Sequence, residues 1–118
     1  MIHLDKICKK FEDTVAVDNL SLTINEGEIY GLLGANGAGK STTINLLLGF
    51  ISPDSGIITL EDKVNNKVIK KDQIGYIPEN VNLYPYLTGI ENLDYFSKIA
   101  GLHFEKSKLM DILSNCSL

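Results

Sequence analysis

Apolar and polar residues alternate along the first part of the chain, which is the pattern of a half-buried β-strand. The alternation is clearest in residues 20–24, Leu-Ser-Leu-Thr-Ile, and a weaker version runs through residues 2–7. Polar turns are predicted at residues 12–14, between the two strands, and at residues 25–27, after the second strand. The opening of the chain therefore predicts an antiparallel β section.

The pattern changes after the second turn. Residues 28–33, Glu-Ile-Tyr-Gly-Leu-Leu, form a short apolar run that predicts a buried strand. Residues 43–48 place Ile44, Leu47 and Leu48 at helical spacing, and a helix is predicted there. A strand, a glycine-rich loop and a helix in this order predict a βα unit.

The middle of the chain contains further β signals. A turn at residues 52–56, Ser-Pro-Asp-Ser-Gly, precedes a short predicted strand at residues 57–60. Residues 61–72 are polar, with lysines and acids interleaved, and predict a solvated hairpin or a short helix. Residues 73–78 read as another strand, which ends at a proline.

Two helices are predicted in the last third of the chain. Thr88 and Glu91 have the spacing of a capping box, and the helix that they start runs to about Ala100 and ends at Gly101. Its apolar face is predicted to carry Ile90, Leu93, Phe96 and Ala100. The final helix begins near Glu105, and its apolar stripe is predicted to carry Leu109, Ile112, Leu113 and Cys116.

The loop of the βα unit fits the phosphate-binding pattern G-x-x-x-x-G-K-[ST] without a mismatch. Glycines let the backbone curl around phosphates and aim its N–H groups inward, and the helix N-terminus adds unpaired N–H groups and partial positive charge. The predicted nucleotide-binding residues are Gly34, Ala35, Asn36, Gly37, Ala38, Gly39, Lys40, Ser41 and Thr42.

Three side chains of this loop and helix start have predicted roles. Lys40 is a mobile cation for the β- and γ-phosphates, and the Ser41 hydroxyl is a hard oxygen ligand for Mg²⁺. Thr42 and Thr43 offer hydroxyl donors near the α-phosphate. Together these features predict a site for a nucleoside triphosphate.

Composition narrows the class of protein. The 118 residues make one domain or part of one, and the net charge of −4 argues against nucleic acid as the main partner. All 11 basic residues are lysines, so the chain contributes no arginine finger. The sequence has neither a membrane-spanning run nor a signal-peptide pattern, and it predicts a soluble, cytosolic chain with reduced cysteines.

The order of these motifs resembles the ATP-binding subunit of ABC transporters along nearly the whole chain. The loop with Asn36-Gly37 at its centre, the turn at residues 52–56 and the segment Tyr86-Leu87-Thr88-Gly89-Ile90-Glu91-Asn92 carry the resemblance. It implies an α/β fold, with a P-loop NTPase core whose parallel sheet is incomplete. The implied sections are antiparallel β in residues 1–27, the P-loop core in residues 28–80, and the start of a helical subdomain in residues 81–118.

The resemblance also implies site residues outside the loop. Phe11 stands where the family places an aromatic that stacks on adenine, and Val17 stands where a small apolar residue lines the same pocket. Glu79 occupies the Q-loop position, where the family usually has glutamine, so Lys40 and Glu79 are the implied catalytic residues and Ser41 and Glu79 the implied metal ligands. Tyr84 and Tyr86 are implied to line the surface that meets a membrane subunit.

The implied function is binding of ATP with Mg²⁺ and, in the complete protein, ATP hydrolysis that powers transport, with export-type, antibiotic or multidrug transporters as the subtype. The implied partners are a membrane-spanning subunit, at the cytoplasmic face of the membrane, and a second ATP-binding subunit. The family's later signature, acid-ended strand and switch histidine do not occur in this sequence. The chain is therefore expected to be an N-terminal part of the domain that binds nucleotide weakly, turns it over little, and is marginally stable or associates.

Other classes stay open. A GTPase would need an Asn-Lys-x-Asp motif, but Ile69 stands where the aspartate is required after Asn66 and Lys67. A small-molecule kinase would normally carry arginines in its lid. ABC proteins that act on ribosomes or in DNA repair, and non-catalytic nucleotide-binding modules, are the remaining alternatives.

Overall fold

The computed structural model describes residues 1–70 and 73–117. The chain divides into two compact units, Met1–Tyr76 and Ile77–Leu118. The first unit contains an antiparallel sheet and one helix, and the second contains two helices. The mixture of helices and strands agrees with the predicted α/β class.

The sheet of the first unit has four strands: β1 (Ile2–Phe11), β2 (Thr14–Ile24), β3 (Ser55–Asp62) and β4 (Lys67–Val68). Their order is β2-β1-β3-β4, and every neighbouring pair is antiparallel. The prediction of an antiparallel opening is therefore confirmed, although β1 and β2 extend further than the alternation indicated. The hairpin alternative for the polar segment is also confirmed by β3 and β4, while residues 71 and 72 lie outside the described residues.

The pairing of β1 with β3 depends on one glycine. Gly56 has φ +91°, and a Cβ at this position would lie 2.5 Å from the Lys6 carbonyl oxygen and 2.6 Å from that of Asp5. Only a residue without a side chain fits so close a backbone approach at this φ. The turn predicted at residues 52–56 is thereby pinned to β1, and the Asp54 N–H donates to the Cys8 carbonyl at 2.9 Å.

Helix α1 (Lys40–Leu47) packs on the sheet of the first unit. The core consists of Leu4 and Ile7 from β1, Val17 from β2, and Leu46 from the helix. The prediction of the helix is confirmed, but its buried face is shifted: Leu46 is buried, Leu47 packs partly against the core, and Ile44 is 38% exposed.

Two predicted strands are absent from the described residues. Residues 28–33 and 73–78 have no strand assignment. The apolar side chains of the first segment are exposed, with Ile29 at 102% and Leu33 at 93%, and Ile77 of the second is 85% exposed. The predictions of these two strands were wrong. A strand is stabilised by backbone hydrogen bonds with neighbouring strands, and residues 29–33 make no backbone hydrogen bond with any described residue.

The second unit is organised by helix α2 (Gly89–Ile99) and helix α3 (Lys106–Asn115), which contact each other. The predicted capping box is present: the Glu91 N–H donates to Thr88 Oγ1 at 3.3 Å, and the Thr88 N–H donates to Glu91 Oε2 at 2.7 Å. Gly101 follows α2 with φ +78°, as expected of a residue that ends a helix.

The predicted apolar faces of these helices are only partly buried. Leu109 is 2% exposed, and Ile90, Leu93, Ile112 and Leu113 are half-buried. Phe96, Ala100 and Cys116 are exposed. Helical spacing identifies which residues share a face, whereas burial also requires a second surface against that face.

Asn92 is the buried polar residue of α2, with 6% exposure. Its side-chain amide donates to the carbonyls of Tyr84, Leu87 and Thr88 at 3.0 to 3.1 Å, and its Oδ1 accepts the Tyr84 N–H at 2.8 Å. One side chain thus pairs with four backbone groups of the segment that precedes the helix. Within the described residues, no helix has both the length and the apolar character needed to cross a lipid bilayer.

Candidate functional site

The glycine-rich loop connects residues 28–33 to the first turn of α1. Gly37 and Gly39 both have φ +83°, in the left-handed region that favours glycine, and Gly39 is the residue immediately before the helix. A Cβ on Gly39 would lie 2.1 Å from the Ala16 carbonyl oxygen of β2, whereas a Cβ on Gly37 would meet nothing within 4 Å. Gly37 is thus required by conformation alone, and Gly39 by conformation and by packing against the sheet.

The loop presents a series of backbone donors. The Ala38 N–H donates to the Ala35 carbonyl at 3.1 Å, and the Thr43 N–H donates to the Gly39 carbonyl at 2.9 Å. The other eight N–H groups of residues 34–42 have no acceptor within residues 1–70 and 73–117: those of Gly34, Ala35, Asn36, Gly37, Gly39, Lys40, Ser41 and Thr42. Helix α1 has no side-chain cap and no acidic residue in its first turn, so its positive end is not compensated. This arrangement suits an anion with several oxygens.

Lys40 lies over the loop backbone. Its Nζ donates to the carbonyls of Gly34 and Ala35 at 2.5 and 2.6 Å. The ammonium group therefore closes the loop on itself, and the same group is within reach of anything that the loop encloses. Its role as a mobile cation for the phosphates stays a prediction.

The hydroxyl groups that follow Lys40 differ in their contacts. Ser41 is exposed, and its hydroxyl makes no hydrogen bond with the described residues, which leaves the oxygen available as a ligand. Thr43 is 4% exposed, and its Oγ1 donates to the Gly39 carbonyl at 2.9 Å. The Thr43 hydroxyl therefore fixes the helix start, and the prediction that it donates to a phosphate does not match this geometry.

A groove of about 200 Å³ lies between β2 and the loop. Its lining includes Val17, Leu32 and Leu33, together with Gly39 and Lys40. Val17 is only 6% exposed and also belongs to the core, so it serves packing and the groove wall at the same time. A larger cavity of about 650 Å³ lies beside β4 and is lined by none of the predicted site residues.

Phe11 ends β1 and lies opposite Thr14 in the hairpin. Its side chain is 47% exposed. Lys9 Nζ lies 5.4 Å from the ring centroid, within the range of a cation–π contact, and 3.1 Å from Asp54 Oδ1. The pKa of Asp54 is held below its usual value, first because its carboxylate accepts the Lys10 N–H and second because it accepts from Lys9.

The remaining predicted residues belong to the second unit. Glu79 is exposed and makes no hydrogen bond or ion pair with the described residues. Tyr84 packs against Tyr95, with ring centroids 5.0 Å apart, whereas Tyr86 is 95% exposed. Of the predicted site residues, the structure brings Val17, Ala38, Gly39 and Lys40 together around one groove.

Sequence reasoning missed the contacts of Lys9, Asp54 and Asn92. Asp54 was recognised only as part of a turn, and Lys9 only as one of 11 lysines. The hydrogen bond between Lys9 and Asp54 joins residues 45 positions apart, and the periodicity of a sequence does not predict contacts over that distance. Asn92 directly follows Glu91 of the capping box, and this position was the one sequence signal for its role. The burial of its side-chain amide was not predicted.

Comparison with known proteins identifies the family. The family model described as "ABC transporter" matches residues 17–117. The linearmycin resistance ATP-binding protein of Bacillus subtilis is 40% identical over 110 residues, which cover 92% of this chain and 35% of that protein. The Nod factor export ATP-binding protein I of Sinorhizobium fredii is 43% identical over 104 residues, which cover 86% of this chain and 30% of that protein.

A solved structure agrees with these sequence matches. A bacterial ABC transporter cassette described as dimeric superimposes with a TM-score of 0.70 at 25% identity, over 97% of this chain and 55% of that chain. The chain spans about a third of the length of the curated relatives it matches. The match over residues 17–117, which is more than half of the chain, shows that the chain belongs to the ABC transporter family.

Proposed function

We propose that the loop and the first turn of α1 bind the triphosphate of ATP with Mg²⁺, and that the complete protein hydrolyses ATP to power transport. One observation carries the proposal: a series of free backbone N–H groups lies at the uncompensated N-terminus of α1, between two left-handed glycines and Lys40. Such a cradle is complementary to a polyphosphate.

The site residues take separate roles in this proposal. The backbone from Gly34 to Thr42 holds the phosphates, and Lys40 moves from the loop carbonyls to the β- and γ-phosphate oxygens. Phe11 and Val17 contact the adenine, consistent with the exposure of the Phe11 ring and the place of Val17 in the groove wall.

Magnesium would be held by Ser41 and Glu79, which carry exposed oxygen ligands of the kind that Mg²⁺ prefers. The ion would neutralise phosphate charge. Ser41 would contribute a hydroxyl that makes no hydrogen bond with the described residues. Glu79 would contribute a carboxylate in place of the amide usual in the family.

The proposed sections remain residues 1–27, 28–80 and 81–118 of one ATP-binding domain. We infer an export-type transporter, since the relatives named above serve linearmycin resistance and Nod factor export. The proposed partners are a membrane-spanning subunit, at the cytoplasmic face of the membrane, and a second ATP-binding subunit, as in the dimeric cassette. The segment alone is proposed to bind nucleotide weakly and to turn it over little, because the sequence contains no acid-ended strand to orient the attacking water.

The proposal is tested by titrating the 118-residue chain with Mg-ATP in a calorimeter. Lys40→Ala is expected to raise the Kd at least about tenfold, because removing a charged donor of a hydrogen bond costs about 1.5–3 kcal/mol. Lys108→Ala is the matched control: Lys108 is an exposed lysine of α3 without a described hydrogen bond or ion pair, and its removal should leave the Kd unchanged. Equal affinity of the Lys40 variant and the unmodified chain would exclude the proposed site.

A further inference from the structure

One contact in the first unit is not explained by the packing of the sheet. Lys9 Nζ lies 5.4 Å from the centroid of the Phe11 ring and 3.1 Å from Asp54 Oδ1. The Lys9 side chain is only 17% exposed, although it lies on a β-strand beside a ring that is 47% exposed. The lysine thus covers part of an otherwise open aromatic ring.

Asp54 is itself held in place at three points. Its N–H donates to the Cys8 carbonyl at 2.9 Å, its Oδ2 accepts the Lys10 N–H at 2.7 Å, and its Oδ1 accepts from Lys9. Asp54 is therefore bound to the backbone on both sides of Lys9, to Cys8 through its own N–H and to Lys10 through its carboxylate, and it is a fixed anchor for the ammonium group. The neighbouring glycine, Gly56, fixes the same turn against β1 through its close approach to the Lys6 carbonyl.

The ring and the ammonium group attract each other, because the face of an aromatic ring carries negative electrostatic potential. A cation held on one face limits the rotation of the ring and leaves the opposite face for a planar group. Lys9 also lies opposite Val17 in the β1–β2 ladder, and Val17 lines the groove beside the phosphate-type loop. The ordered ring therefore belongs to the same part of the sheet as the groove.

We propose that Lys9 is a positioning residue for base recognition: anchored by Asp54, its ammonium group orients Phe11 so that the free face of the ring stacks on the adenine of the bound nucleotide. This inference rests on the proposed function, and it assigns a role to two residues that do not contact the phosphates. It makes the contribution of Lys9 specific to ligands that carry a base.

The test compares two ligands in the presence of Mg²⁺, ATP and inorganic tripolyphosphate, by calorimetric titration of the 118-residue chain. Lys9→Met keeps the length of the side chain and removes its charge. We expect the Kd for ATP to rise about two- to fivefold, as for the loss of an exposed cation–π contact, and the Kd for tripolyphosphate to stay the same. Lys9→Arg should restore the affinity for ATP, since a guanidinium also binds a ring face.

Lys10→Met is the matched control. It removes the same charge one position along β1, its side chain makes no described contact with Phe11, and it keeps the backbone N–H that donates to Asp54. The affinity of this variant for both ligands should equal that of the unmodified chain. Asp54→Asn removes the anchor but keeps the Lys9 charge, and it should weaken ATP binding in the same direction as Lys9→Met.

Two results would overturn the inference alone. If Lys9→Met lost the same affinity for ATP and for tripolyphosphate, Lys9 would act through its charge on the phosphates. If the Kd of Lys9→Met for ATP were unchanged or lower, Lys9 would not orient the ring, or it would compete with the base. If the unmodified chain bound neither ligand, the proposed function would fail and this inference with it. Circular dichroism of each variant separates these outcomes from loss of the fold.

Discussion

Gly37 and Gly39 are both glycines with the same φ of +83°, yet the structure requires them for different reasons. Gly37 needs only the freedom to adopt a left-handed conformation, because the space around it is open. Gly39 also needs the absence of a side chain, since the Ala16 carbonyl would lie 2.1 Å from a Cβ. The loop is thus shaped by its own glycines and, at one residue, held against β2.

Alanine substitutions at three glycines should separate these requirements. Gly31→Ala, at a position with open space and no positive φ, is expected to change the free energy of unfolding by less than about 0.5 kcal/mol. Gly37→Ala should cost about 1–2 kcal/mol for the left-handed backbone. Gly39→Ala should cost more than Gly37→Ala, because the backbone must also move away from β2. Urea unfolding followed by circular dichroism measures the order, and equal effects at Gly37 and Gly39 would contradict the described contact.

At the scale of the element, helix α2 shows how strongly local chemistry can specify a boundary. Both reciprocal hydrogen bonds of the Thr88–Glu91 capping box are formed, and Asn92 binds the carbonyls of the preceding segment in the next turn. The start of α2 is therefore determined by residues within five positions of one another. The opposite holds for residues 28–33, where a strand was predicted but none is present. A strand there would need a neighbouring strand as its hydrogen-bond partner, and residues close in sequence do not supply one.

Thr88→Ala is expected to destabilise α2 by about 1 kcal/mol, because the N–H of Glu91 loses its acceptor at the helix start. Hydrogen exchange of the backbone amides in the first turn of α2 should become faster, and the free energy of unfolding should fall. Ser107→Ala in α3 is the control, since the Ser107 hydroxyl makes no described hydrogen bond. If both variants lost the same stability, the capping box would not be responsible.

At the scale of the whole molecule, four carboxylates, three exposed and one half-buried, are held by hydrogen bonds that lower their pKa values. The pKa of Glu28 is lowered first by the Asn25 N–H and that of Asp54 first by the Lys10 N–H. The pKa of Asp62 is lowered first by the Asn65 side chain and that of Glu91 first by the Thr88 N–H. Each group therefore stabilises the folded chain in its ionised form.

Stability should fall as the solution is acidified below the ordinary carboxylate pKa values of 4.5 and 3.8. Above that range the contribution is complete, and it is lost as the pH passes down through the lowered pKa values of the folded chain, since the unfolded chain binds protons first. Urea unfolding at pH 6, 4 and 3 measures the trend. Asp54→Asn should reduce the fall of the free energy of unfolding with falling pH. Asp111→Asn should leave this pH dependence unchanged, because Asp111 lies at an exposed helical position and makes no described hydrogen bond.

Features that depend on neighbouring residues could be predicted from the sequence. The alternation of residues 20–24 predicted β2, the glycine pattern predicted a tight loop before a helix, and the Thr88–Glu91 spacing predicted the start of α2. Phosphate binding by that loop stays a prediction. The same loop and motif order indicated the ABC transporter family, which the comparisons confirmed. These predictions held because backbone conformation, capping and alternation are short-range properties.

The burial of apolar residues and the contacts between distant residues follow only from the tertiary structure. It left Ile29 and Leu33 exposed although their run is apolar, and it buried Leu46 instead of Ile44. It also brought Asp54 to Lys9, 45 positions away, and so placed an ammonium group on Phe11. Burial and long-range pairing depend on the surfaces that surround a residue, and a pattern along the chain reports only the residue and its neighbours.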